Sequence, residues 1–218
     1  MMVSDSEKRW LVIGIAINKV VAPVLRDVIK QGMDTHYTNL DTYCSGLTTP
    51  CTLATLTYHQ FHADPNLRRL KFQNINNNLI IHRNPTSSYN YNVNSSVDLA
   101  KLYLHDKHLA EFSAFDESLD MTAILQLLQF SNYHPTAIFS VAIQTSADAV
   151  RKDVRNKWGH FDETEWTEAF FNDCFTKLET LVRSLGLPGD KEKNTLDQLS
   201  DWQGKGIFTS VCFIHFSF

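Results

Sequence analysis

From Ser6 to Gly32 the apolar residues Trp10, Ile13, Ile17, Val20, Val21, Val24, Leu25, Val28 and Ile29 recur at helical spacing. That period lines one side of an α-helix with hydrocarbon, so the chain opens on a long amphipathic helix that other elements must cover. Pro23 removes one amide donor and its ring clashes with the preceding turn, which predicts a kink; Gly32 predicts the stop. The run Trp10 to Ile17 follows Lys8 and Arg9 as a signal peptide would, but Asn18 and Lys19 interrupt it and no small-residue cleavage site follows. It is also too short to span a membrane.

The same period returns after a long gap. Ser96 is a plausible N-cap for a helix carrying Val97, Leu99, Ala100, Leu102, Tyr103 and Leu104. Another helix is expected from Ser118, with Met121, Ile124, Leu125 and Leu128 as its stripe and Asp120 in the first turn, where a carboxylate suits the helix dipole. Pro135 opens a third helix running toward Trp158, with Ile138, Val141, Ala142, Thr145 and Ala149 inward. Gly159 ends it in the left-handed conformation that only glycine takes freely. Asp162 with Glu165 forms a capping-box pattern for the next helix, which presents Trp166, Ala169, Phe170, Phe175, Leu178, Leu181 and Val182 and stops at Gly186 and Pro188. A short helix over 191–202 completes the body.

The gap, 35–96, is a long polar insertion. Asn74, Asn76, Asn77, Asn78, Asn84, Asn90, Asn92 and Asn94 favour turns because their side chains compete for nearby backbone groups. So long an irregular stretch in a compact domain is either functional or mobile. At the other end, 205–218 is an apolar C-terminal tail whose β-branched and aromatic residues from Ile207 to Phe218 read as a strand or a sticky end; it packs on the body or stands outside the functional domain. The expectation is therefore one all-α domain over 6–204.

With 43% apolar and 20% charged residues, 218 residues suffice for a soluble globular core. A net charge of -4 excludes a protein that coats nucleic acid by bulk electrostatics, so any RNA contact must be local. Cys44, Cys51, Cys174 and Cys212 are too sparse for a disulfide scaffold, which fits a reducing compartment and a cytoplasmic location. No glycine-rich phosphate loop and no G-x-S-x-G elbow occurs, which argues against nucleotide hydrolysis and serine-hydrolase chemistry. Cys44, Cys51, His59 and His62 match the donor types of tetrahedral zinc, but their spacing lacks a tight cysteine knuckle, and ordinary cysteines with loop histidines are the competing reading. His105 and His108 lack a carboxylate or cysteine of matching phase and read as surface residues. No metal or other cofactor is assigned.

The segment from Val150 to Trp166 carries the chemistry. Arg155 and Asn156 precede His160 across the predicted helix end, which sets a permanent cation beside an imidazole. On an unbroken helix residues five apart diverge by about 140°, so the break at Gly159 is what lets the two converge. The imidazole could then withdraw the proton of a ribose 2′-hydroxyl while the guanidinium stabilises charge on the phosphate, giving a cyclic phosphate. Arg151, Lys152 and Lys157 add a local cationic cluster for RNA phosphates, and Trp158 offers a face for an unpaired base. The structural alternatives are a solvated cationic face, a surface or capping histidine, and tryptophans that belong to the core.

The stretches Val97 to Leu104, Phe115 to Asp120 and Val154 to His160 resemble the HEPN superfamily, in the animal subgroup related to the HEPN domain of the DAZ-interacting, RNA-binding ubiquitin ligase. Arg155 to His160 matches its R-x4-6-H motif, with the polar residue after arginine that many active members carry, and the likeness extends over about residues 8–204. The resemblance implies a four-helix core with additional short helices, and a homodimer whose two motifs face each other to form one metal-independent ribonuclease cleft. It implies Arg155 and His160 as the catalytic pair and Asn156 as the assisting residue. The insertion and the tail depart from the minimal pattern and could cap the cleft or block dimerisation. Many members of the superfamily are instead inactive, so the competing expectation is an adaptor for dimerisation or for protein or RNA binding in an innate-immune or RNA-surveillance assembly.

Overall fold

The Ser4 hydroxyl accepts the Glu7 amide at 3.2 Å while the Ser4 amide donates to the Glu7 carboxylate at 2.8 Å, a reciprocal cap that starts the first helix. The computed structural model describes residues 3–78, 88–130 and 138–207, and these are all-α, with no strand among them. Helix α1 is continuous over 5–45: α-helical Asp5–Ile15, a π-helical turn Ala16–Val21, and α-helical Ala22–Ser45. At about 1.5 Å per residue it is roughly 60 Å long.

The stop expected at Gly32 is corrected here, and the helix passes Pro23 without ending there. The turn before it widens so that the Ala22 amide reaches back five residues to the Ile17 carbonyl, which accommodates a residue that cannot donate. Nor does Gly32 stop the helix: a β-carbon there would stand 2.9 Å from the Phe139 ring and 3.1 Å from Ile138, so the glycine admits a close neighbour inside a helix that runs on to Ser45.

The irregular stretch accordingly begins at 46 rather than 35. It contains α2 (Tyr58–Ala63) and the 3-10 turns Leu53–Thr55, Leu67–Arg69 and Phe72–Asn74. Leu53, Leu56, Leu67, Leu70, Phe72, Tyr91 and Val93 are buried in the same core as the helices, so the described part is a packed cap. The asparagines act as their chemistry predicts. Asn76 and Asn77 adopt positive φ, Asn74 donates to the Lys101 and Leu104 carbonyls, and Asn78 donates to those of Phe72 and Asn90.

Helix α3 (Ser96–Lys101) is capped by Ser95 rather than Ser96. Helix α4 (Met121–Phe130) buries Met121, Ile124, Leu125 and Leu128 as expected, and Asp120 caps it by accepting the Ala123 amide at 2.8 Å. Helix α5 covers 141–159 as α-helical Val141–Ala149, a second π-helical turn Val150–Arg155, and α-helical Asn156–Gly159. Ser140 caps it; its expected opening at Pro135 lies outside the described residues. Its inward face is Ile143, Ala147, Val150 and Val154, whereas Val141 is 76% exposed and Ala142 and Thr145 also face solvent. Apolar residues surround this helix, and its neighbours select the four-three-four stripe that continues through the π turn.

Helix α6 (Glu168–Ser184) buries Phe171, Cys174, Phe175, Leu178, Leu181 and Val182, and ends before Gly186, which has φ +65°. Helix α7 (Gly189–Ile207) is longer than the 191–202 expected. The first half of α1 lies against α6 and α7 and its second half against α3 and α4, while α5 contacts α4 and α6. Residues 205–207 of the expected tail, Ile207 included, finish α7 as helix, while the rest of the tail and Asn84 fall outside the described residues.

Candidate functional site

The motif occupies the last two turns of α5. In the π turn the Asn156 amide donates to the Arg151 carbonyl, five residues back, and a widened turn of this kind is frequent where side chains are presented for function. The chain leaves the helix at His160, whose φ of -131° and ψ of 84° turn it away and whose amide still reaches the Lys157 carbonyl. Gly159 therefore ends the helix without the left-handed conformation expected of it; Gly186 is the glycine with positive φ among the described residues. A β-carbon at Gly159 would make only ordinary van der Waals contact. The Arg155 guanidinium lies over it, Nη1 3.8 Å from where a β-carbon would stand, beside the residue that precedes His160.

The neighbouring cations are engaged. Arg151 donates to the Gln129 side chain and to Asp148, Lys152 donates to Asp148 at 2.6 Å, and Lys157 donates to Glu165 at 2.5 Å. The Lys152 amine is the main influence holding the Asp148 carboxyl below its ordinary value, and hydrogen bonding to Glu165 raises Lys157. Arg155, Asn156 and His160 have no side-chain hydrogen bond or ion pair among the described residues. Arg155 is half-buried, and Asn156 and His160 are exposed.

Beneath the motif an aromatic stack joins it to α1. The Trp10 indole donates to the Trp158 carbonyl at 2.8 Å, its ring stacks on Trp158 at 6.1 Å, and Phe161 meets it at 5.4 Å. Trp158 presses on α1 so closely that a β-carbon at Gly14 would stand 2.6 Å from its Nε1. With Trp158 stacked on Trp10 and set against Gly14, Phe161, at 42% exposed, is the open aromatic next to His160. Trp166 is fully buried, as its place on the apolar stripe implied. Arg9 donates to its carbonyl at 3.2 Å. The parts played by Trp10, Gly14 and Phe161 were not visible in the sequence, where Trp10 counted only as one member of an apolar stripe.

Asp162 does not cap the next helix. Its carboxylate accepts the amide and hydroxyl of Thr164, which hold it below the usual carboxylate range, and Thr167 caps α6 by accepting the Phe170 amide. The zinc candidates also separate by environment: Cys44 is buried, Cys51 lies beside it, and His59 and His62 pack on the Tyr58 ring. No group of three or more histidine, cysteine or acidic residues is placed to hold a metal among the described residues. His105 contacts the Lys71 amine at 2.8 Å, and His108 lies 3.7 Å from Glu111. A groove of about 380 Å³ lined by Val28, Gly32, His36, Phe139, Ile143 and Leu185 includes none of the motif residues. No helix among the described residues is long and apolar enough to cross a membrane. Comparison with family models, curated proteins and solved structures finds no match to this chain.

Proposed function

We propose that this chain is a HEPN-type four-helix domain that acts in the cytoplasm and cleaves RNA without a metal, at a cleft formed by two copies. Arg155 and His160 are its catalytic pair, Asn156 assists, and Arg151, Lys152 and Lys157 line the path of the backbone. The observation that carries the reading is the contrast in pairing. Three neighbouring cations are held by acidic partners, while the Arg155 guanidinium lies over Gly159, the residue before His160, and the Arg155 and His160 side chains have no partner among the described residues. In the reaction His160 takes the proton of a ribose 2′-hydroxyl and the 2′-oxygen attacks the adjacent phosphorus. The 5′-oxygen leaves with a proton, and Arg155 stabilises the charge that builds on the phosphoryl oxygens. The products are a cyclic phosphate and a 5′-hydroxyl. His160 is exposed and Arg155 half-buried, and a second copy set over them would enclose the pair.

The test is cleavage of labelled single-stranded RNA in excess EDTA by the wild type, His160→Ala and Arg155→Ala, with fold and oligomeric state recorded for each. Loss of a general base lowers the rate by about 10²–10⁴-fold, and that loss is the expected result for His160→Ala. A second reading, a non-catalytic adaptor within an RNA-surveillance or innate-immune assembly, is favoured by Leu11 and Phe161, large apolar residues exposed at 48% and 42% around Trp10. A folded wild-type dimer that leaves RNA intact supports that reading instead.

A further inference from the structure

At the end of α1 the chain doubles back on itself. Gly46 donates to the carbonyls of Cys44 and Tyr43, Leu47 donates to Cys44, and Pro50 leads the chain into Cys51 beside the helix end. The Cys51 amide donates to the Cys44 carbonyl at 3.2 Å, and the Cys51 Sγ lies 3.9 Å from the same oxygen. The chain therefore brings Cys51 back to the turn of α1 that carries Cys44, the proximity a disulfide requires. The two thiols are also within hydrogen-bonding reach of each other, and both are free. Cys174 is buried in α6 with no second thiol beside it among the described residues.

We infer that Cys44 and Cys51 are a redox-modification site, a dithiol that a low-molecular-weight disulfide such as oxidised glutathione converts to an intramolecular disulfide, fastening the end of α1 to the cap. Half-buried Cys51 reacts first. Its sulfur, having lost its proton, attacks one sulfur of oxidised glutathione, and the released glutathione thiolate takes up a proton. Cys44 then loses its proton and attacks the Cys51 sulfur, releasing the second glutathione as a thiol. Two protein thiols are oxidised and one disulfide is reduced to two thiols. The oxidant never has to reach buried Cys44. Burial raises both thiols, Cys44 to about 12, so the reaction accelerates as pH rises.

The test equilibrates the protein in buffers of fixed reduced-to-oxidised glutathione ratio, alkylates the remaining thiols and digests with trypsin. The peptide 31–68 contains Cys44 and Cys51 and neither other cysteine, so the disulfide appears as a peptide lighter by two hydrogens that resists alkylation. The same titration in urea gives the reference without the fold. The expected result is an equilibrium constant at least about tenfold larger in the folded protein, with Cys174 still free. In Cys51→Ser the buried Cys44 stays unmodified. An equal or smaller constant in the folded protein, a persistent glutathione adduct on Cys51, or glutathionylation of Cys44 in the folded serine variant overturns the inference.

Discussion

The π turn of α1, Ala16–Val21, lies two residues before Pro23, whereas that of α5, Val150–Arg155, has no proline near it. Both bury an apolar side, through Ile17, Val20 and Val21 in one and Val150 and Val154 in the other. They differ in their polar residues. In α1 the Asn18 side chain turns back and donates to the Gly14 carbonyl at 2.8 Å. In α5 Arg151 and Lys152 bond to Asp148, while the side chains of Arg155 and of the following Asn156 and His160 have no hydrogen bond or ion pair among the described residues. The widened turn before Pro23 passes a residue that cannot donate, and its asparagine is bonded while Lys19 has no partner among the described residues. The turn of α5 is required by no proline, and it ends on an arginine whose side chain is unengaged although Arg151, Lys152 and Asp153 within it are paired. The two helices meet beside these turns, where Gly14 before the first lies against Trp158 after the second.

The largest expected effect comes from the buried side of the first turn. Ile17→Ala removes a fully buried side chain and should cost about 2–5 kcal/mol in urea unfolding, with no separate effect on RNA once the folded fraction is allowed for. Gly14→Ala tests the contact between the two helices. Its new methyl meets the Trp158 indole, so about 1–3 kcal/mol of overpacking cost is expected, with a shift in tryptophan fluorescence. Unchanged emission and stability would mean that the two helices are not coupled through Trp158.

The asparagines give the sharpest contrast. Asn18→Ala should cost about 0.5–1.5 kcal/mol because a bonded group is lost. Asn156→Ala should fall within about 0.5 kcal/mol of wild type, as exposed substitutions without partners do, while lowering RNA binding or cleavage. Equal stability costs for the two would dissolve the distinction drawn between the turns.

The smallest effect concerns the acid limb. The Lys152 amine, aided by the Arg151 guanidinium and opposed by burial, holds the Asp148 carboxyl below its ordinary 3.8. A depressed folded-state value means stability that is present above 3.8 and lost as the pH falls through the lowered value. Asp148→Asn should remove that contribution, worth under about 1 kcal/mol for so exposed a pair, so the stability curves should converge as the pH falls below 3.8. It also releases Arg151 and Lys152, so RNA binding should tighten and become more salt-dependent.

Much of this architecture was legible in the sequence. The stripe of α4, most of that of α6, the helix end at Gly159 and the stop at Gly186 all follow from local periodicity and steric rules that hold wherever a segment lies. Gly32 and Gly159 show the limit. Both suit a helix stop in sequence; the helix does end at Gly159, without the left-handed conformation, whereas Gly32 admits Phe139 to the side of a continuing helix. A glycine looks the same in sequence whether it relieves backbone strain or makes room for a neighbour, and only the neighbour distinguishes them. The phase of α5 failed for a related reason. Apolar residues around its circumference allow more than one inward face, and packing against α4 and α6 selects Ile143, Ala147, Val150 and Val154.

By itself the sequence determined an all-α protein, the order of its main helices, and the spacing that puts an arginine, an asparagine and a histidine at a helix end, because hydrophobic period and turn chemistry act over a few residues. Only the tertiary structure decided which cations are neutralised, which of the clustered tryptophans is stacked and pinned, and that the asparagine-rich stretch closes over the core as a cap. Those outcomes depend on residues brought together from far apart in the chain, such as Gly14 with Trp158, which no local pattern encodes.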